Sequence, residues 1–171
     1  VDAVVQSTDK NFLTPVGGAI VASGDEEAVM RVSGMYPGRA TAAPIVQFLA
    51  AILSLGVKGY ERLRSEQEEN RRLLERLMGE LAERHGERIL RVFNPVACAM
   101  TLTGRDPLRV GAALYNLRVN GPRALGPRDW GTCCREYRTA YITMNAAIGS
   151  KRRDVEEAVR RLDQALRQTG K

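Results

Sequence analysis

The chain has 171 residues, 44% of them hydrophobic and 27% charged, a globular balance that suits one ordinary domain or two small ones. Its longest greasy segment, AAPIVQFLAAILSLGV (42–57), is interrupted by Pro44 and Gln47 and reads as a buried helix, which argues against a membrane span. The net charge of +6 is lopsided: residues 1–104 carry 12 basic and 13 acidic side chains, residues 105–171 carry 14 and 7. A basic half of that kind suits a polyanionic partner such as nucleic acid, and equally a merely soluble basic surface.

The chain opens VDAVVQSTDK, in mid-strand, without a methionine, a basic n-region or a cleavage site. The expectation is a piece of a longer protein with no secretory leader. Residues 2–7 suit a buried parallel strand, and 16–23 the next strand, entered through Gly17–Gly18. Asp25, Glu26 and Glu27 then favour a helix N-terminus, with Val29 and Val32 on the inner face. MYPGRA (35–40) breaks the pattern. A helix buried on more than one side is predicted from Thr41 to about Gly56.

From Lys58 to Arg84 the pattern is that of a long charged helix. Leu73, Leu74, Leu77, Met78, Leu81 and Ala82 form its apolar stripe, and its balanced charges form a solvated face laced with local pairs. A coiled-coil partner helix is the alternative, although the stripe is short for sustained heptads. Residues 88–93 and 96–102 read as strands joined by Asn94–Pro95. Residues 106–119 read as a helix opened by Asp106 and Pro107, 120–139 as an arginine-rich loop, and 139–147 as a strand and turn. The last helix starts near Arg153, with Val155, Ala158, Val159, Leu162, Ala165 and Leu166 on one face.

Cys98, Cys133 and Cys134 lack metal or redox spacing and read as reduced thiols, Cys98 as a buried small hydrophobe. The single histidine, His85, sits at a helix end before Gly86 and reads as a dipole partner. One histidine excludes an ordinary multi-histidine zinc site.

Lys10, in STDKNFLTPVGG (7–18), is the only lysine before Lys58 and stands apart from the charged run. A lysine amine with a free pKa of about 10.4 is mostly protonated at neutral pH. Burial, a neighbouring charge or a Schiff base lets it act as a nucleophile. A lysine after a strand, with Ser7 and Thr8 just ahead and a glycine-bearing strand behind, fits a pyridoxal phosphate enzyme of the aminotransferase-like fold. A lone surface lysine in a loop fits those residues as well.

Beyond that local pattern, VQSTDKNFLTPVGGAI, MYPGRA, LSLGVKGY and AIGSKRRDVE resemble the O-phosphoseryl-tRNA(Sec) selenium transferases, also called selenocysteine synthase or soluble liver antigen. The resemblance covers nearly the whole chain. It implies an α/β fold, the C-terminal part of the aminotransferase-like pyridoxal phosphate fold (fold type I). Residues 1–56 would end the large domain, 57–86 form a connecting helix and 87–171 a small α+β domain.

The implied reaction converts O-phosphoseryl-tRNA(Sec) and selenophosphate into selenocysteinyl-tRNA(Sec). Lys10 would form the internal aldimine with pyridoxal 5'-phosphate and, once displaced by the phosphoserine amine, serve as proton shuttle, with Ser7 and Thr8 near the cofactor phosphate. Elimination of phosphate would be followed by selenium addition. Arg39 would meet the substrate phosphate as a guanidinium fork. Arg128, Arg123 and Arg135 are the candidates for tRNA contact through phosphate attraction, with Trp130 and Tyr137 available to stack on a base or simply to close the domain.

The resemblance also implies a cytoplasmic homo-tetramer with active sites between subunits, no membrane and no metal. Its other cofactor and phosphate contacts precede the lysine, so the 171 residues alone are expected to be inactive. Two alternatives stand beside this reading. One is another enzyme of the same fold, such as a cysteine desulfurase or decarboxylase, in which a histidine typically stands where this chain has Asp9. The other is a basic tRNA-binding module without chemistry, which leaves STDKNFLTPVGG unexplained.

Overall fold

The structure, a computed structural model, describes residues 1–35, 41–92, 94–127, 129 and 139–170. The chain divides into two compact units, Val1–Arg62 and Leu63–Lys171.

In the first unit, strands β1 (Ala3–Ser7) and β2 (Ala19–Ser23) pair from Ala3↔Ser23 to Ser7↔Ala19. The pairing is antiparallel, where the sequence suggested successive parallel strands. The eleven residues between Ser7 and Ala19 are too few for a parallel crossover, which takes a dozen or more, and instead fold back as a compact loop. Helix α1 (Glu26–Gly34) follows, with Asp25 as N-cap accepting from the Glu27 amide.

Helix α2 runs from Ala43 to His85 and turns sharply at Gly56, whose φ of 61° and ψ of 176° interrupt the helical ladder. Only glycine takes that backbone without strain.

Burial in the first unit departs from expectation. Every residue of β1 is exposed, α1 buries no side chain, and Val32 is 48% exposed. The helix expected to be buried between Thr41 and Gly56 shows Ile45 at 71%, Leu49 at 55% and Leu53 at 74% exposure. By length and composition alone, α2 contains a window apolar enough to cross a membrane. Hydrophobicity said that this segment wants cover, and within these 171 residues it finds little.

The second unit has a core. Strands β3 (Ile89–Leu90), β4 (Ala97–Thr101), β5 (Arg123–Leu125) and β6 (Tyr141–Asn145) form an antiparallel sheet in the order β3-β4-β6-β5. The register sets Cys98 opposite Met144 and Met100 opposite Ile142. Because strand side chains alternate, these four share one face, and all four belong to the core cluster. Against them pack Leu74, Met78 and Leu81 of α2, Val110 and Leu114 of α3 (Pro107–Asn116), and Val155, Val159, Leu162 and Leu166 of α4 (Arg152–Thr169). The stripes read from the sequence are the stripes that bury.

Two buried polar side chains on α2 are satisfied by the chain around β6: Gln67 donates to the Ala146 carbonyl at 2.9 Å, and Asn70 to the Ser150 carbonyl at 2.8 Å. Asp106 caps α3 through the Leu108 amide. The Asn94 carboxamide oxygen accepts from the Val96 and Ala97 amides, turning the chain into β4. Strand β5 was not anticipated; it is three residues long and opens an arginine-rich stretch with no alternation to read.

Candidate functional site

Lys10 stands in a loop that its own backbone ties down. The Thr8 amide donates to the Gly18 carbonyl at 3.0 Å, the Thr14 amide to the Thr8 carbonyl at 3.3 Å, and the Leu13 amide to the Lys10 carbonyl at 3.1 Å. Leu13 itself takes a left-handed backbone, φ 58°. A branched residue there costs roughly 1–2 kcal/mol, so neighbouring contacts must hold it.

Phe12 supplies such contacts. Its ring meets Phe48 edge-on at 4.9 Å and Tyr60 at 6.0 Å, and the Tyr60 hydroxyl donates to the Phe12 carbonyl at 3.2 Å. Edge-to-face pairs of this kind add about 0.5–1.5 kcal/mol beyond their burial. α2 thus holds the loop by its backbone and by one ring, two residues after the lysine.

The loop shows Lys10 outward, its side chain 68% exposed, with Nζ 2.6 Å from a carboxylate oxygen of Asp9. Asp9 is tucked in at 14% exposure, and the hydrogen bond from Lys10 holds its carboxyl below the ordinary aspartate value. Ser7 ends β1 and is exposed. Thr8 turns the other way. It is 3% exposed, and its hydroxyl has no hydrogen-bond partner among the described residues. A Cβ on Gly18 would lie only 2.5 Å from that hydroxyl and 3.0 Å from Cβ of Pro44. Gly18 is therefore glycine for space.

A pinned loop offering an accessible amine suits covalent attachment of a carbonyl cofactor at Lys10. The Thr8 hydroxyl lies buried against Gly18. Among the described residues no group of histidine, cysteine and carboxylate side chains could hold a metal ion.

Arg39, Arg128 and Arg135 lie outside the described residues, as do Trp130, Cys133, Cys134 and Tyr137. Arg123 is exposed on β5 and forms no ion pair with another described residue. The arginines of α4 are less available than their charge suggests. On α4, Arg152 pairs with Glu156, Arg160 and Arg161 with Glu157, and Arg167 with Asp163. Arg160 and Arg161 hold Glu157 down to about pKa 2.

His85 does more than end a helix. It meets Asp163 at 2.7 Å through Nε2 and the Arg105 guanidinium at 3.3 Å through Nδ1. Arg105 in turn donates to the Leu166 and Gly170 carbonyls at the end of α4. Asp9, Phe12 and Tyr60 are the site residues that sequence reasoning missed. The adjacency of Asp9 to Lys10 was a signal, whereas nothing in one sequence could pair Tyr60 with a carbonyl 48 residues away.

Comparison with known proteins shows what the chain is similar to. The family described as O-phosphoseryl-tRNA(Sec) selenium transferase, SepSecS, matches residues 1–167. The Methanopyrus kandleri O-phosphoseryl-tRNA(Sec) selenium transferase is 51% identical over 169 residues, 97% of this chain and 39% of its own. The crystal structure of an archaeal O-phosphoseryl-tRNA(Sec) selenium transferase superposes with a TM-score of 0.86 at 42% identity, over 95% of this chain and 38% of that one. A structure of SPT with its PLP internal aldimine shares the fold alone, with a TM-score of 0.61 at 15% identity over 99% of this chain and 41% of that one. The chain thus spans about two fifths of the length of its selenium transferase relatives. It has the α/β architecture of the corresponding part of the pyridoxal phosphate enzymes of fold type I, and it belongs to the O-phosphoseryl-tRNA(Sec) selenium transferase family.

Proposed function

We propose that these residues are the lysine-bearing part of an enzyme that converts O-phosphoseryl-tRNA(Sec) into selenocysteinyl-tRNA(Sec) with selenophosphate, using pyridoxal 5'-phosphate. The observation that carries this reading is the pinned loop at 8–14, which presents one accessible lysine in a chain of this family. When bound, pyridoxal phosphate supplies an electron sink for the bonds around the α-carbon of an amino acid.

The chain's own part is positional and protonic. Lys10 offers its amine to the ligand aldehyde and, when free, carries the proton of the substrate α-carbon. Phe12, Phe48 and Tyr60 keep the loop that bears it in register. Arg39 receives the substrate phosphate, a role that suits a guanidinium fork. Arg123, unpaired among the described residues and exposed at the sheet edge, meets the tRNA, with Arg128 and Arg135 as further candidates. The assembly is a cytoplasmic homo-tetramer, and the 171 residues by themselves do not turn over substrate.

The reading as a basic RNA-binding module without chemistry is weaker, because local carboxylates engage most of the α4 arginines. In a full-length family member carrying these residues, Lys10→Ala is expected to abolish selenocysteinyl-tRNA formation while leaving tRNA binding intact. Turnover retained in that variant would overturn the proposal.

A further inference from the structure

Asp9 stands immediately before Lys10 and faces it at 2.6 Å, with most of its side chain covered while the amine stays exposed. Neither residue is free to swing with a mobile loop. The carbonyls on both sides of the pair, those of Thr8 and Lys10, each accept a backbone amide, and Phe12 is fixed by two aromatic rings. The charged contact is therefore built into the loop.

We propose that Asp9 is a positioning residue for Lys10: its carboxylate parks the amine as an ammonium at a fixed place, and a carbonyl ligand reaches the amine only by taking it out of that contact. This deepens the reading of Lys10 as the covalent attachment point and takes its functional meaning from it. Condensation with an aldehyde requires the ammonium to give up one proton, the nitrogen to bond the carbonyl carbon, and the carbonyl oxygen to leave as water. A carboxylate at 2.6 Å opposes the first of these changes. It also gives the free amine one defined position to return to. β2 carries no titratable side chain, and α2 brings Tyr60 to the loop, its hydroxyl donating to the Phe12 carbonyl.

The test is the reactivity of each lysine toward 13C-formaldehyde with a cyanoborane reductant, followed by NMR across pH, in the 171-residue chain without cofactor. Lys58 and Lys151 serve as internal references. Asp9→Asn is expected to raise the rate at Lys10 about threefold near neutral pH, the size of effect an accessible ion pair supports. Lys58 and Lys151 should not move, and Asp9→Glu should restore much of the wild-type rate. A Lys10 rate unchanged in Asp9→Asn, or one that rises together with that of Lys58, overturns the proposal. Should Asp9→Asn disturb the loop, the wild-type rate in 1 M salt decides: acceleration confined to Lys10 supports the pair, and a flat response overturns it. Formaldehyde needs no cofactor site, so failure of Lys10 to take pyridoxal phosphate would defeat the functional reading and leave this test standing.

Discussion

The two units of this chain solve different problems. In Leu63–Lys171 the buried side chains are overwhelmingly apolar and come mainly from three helices and from β4, β5 and β6, whereas among the described residues of Val1–Arg62 the buried ones are two threonines, Thr8 and Thr14. The first unit invests its order in one loop, through backbone bonds, a left-handed leucine and an aromatic contact, and leaves its helices greasy on the outside. The second invests in a core and pairs the arginines of α4 with neighbouring carboxylates. The candidate lysine sits where local geometry is tight and hydrophobic burial is poor, while burial is strong in the other unit.

That contrast gives a ranked set of expectations. The largest effects belong to the second unit's core. Met78→Ala or Leu162→Ala, at fully buried positions, should cost about 2–5 kcal/mol in denaturant unfolding, whereas Ile45→Ala, at 71% exposure, should stay within about 0.5 kcal/mol. Comparable costs at the two places would break the comparison.

Next comes the buried pair of Arg105 and Glu87, whose side chains are 5% and 0% exposed. Removing one partner of such a pair costs about 3–5 kcal/mol. Arg105→Met should approach the lower end, because Glu87 keeps its bonds to the Thr101 hydroxyl and the Thr103 amide. Hydrogen exchange should quicken at the end of α4, where Arg105 now holds two carbonyls.

In the first unit the largest effect should come from Gly18→Ala, which drives a methyl group into the Thr8 hydroxyl and should cost about 1–3 kcal/mol. Combining it with Thr8→Ala should return part of that cost, and a strictly additive double mutant would refute the close approach. The smallest effect concerns Cys98, whose thiol is pushed up to about 12 by burial, with Glu75 adding to the rise. A raised value in the fold means that its contribution to stability is complete below about pH 9 and is lost as pH climbs towards 12. Cys98→Ala should flatten that alkaline slope, and Cys98 should resist alkylation at pH 8 until the protein unfolds.

The helices of the second unit and its strands other than β5 were legible because their apolar residues recur at the period of the element that buries them, as Leu74, Met78 and Leu81 do on α2. Caps such as Asp25 and Asp106 were legible because the chemistry is local. Strand direction in the first unit was not, since a run of valines does not say which neighbour it pairs with. Nor was its exposure: periodicity reports which face seeks cover, and the cover must come from somewhere. At the site, Lys10 stood out by its isolation in the sequence, while a hydroxyl beside a lysine carries no sign of which way it points, and that of Thr8 proved to be buried. The Phe12–Tyr60 contact joins residues 48 apart and exists only once the chain has turned at Gly56.

The central claim is that Lys10 is the residue through which this chain meets its cofactor. Incubation with pyridoxal phosphate, borohydride reduction and peptide mapping tests it directly. The account predicts a reduced adduct on Lys10 at substoichiometric ligand, ahead of Lys58, Lys151 and Lys171. Label spread evenly over the four lysines, or found elsewhere with Lys10 unmodified, would contradict it.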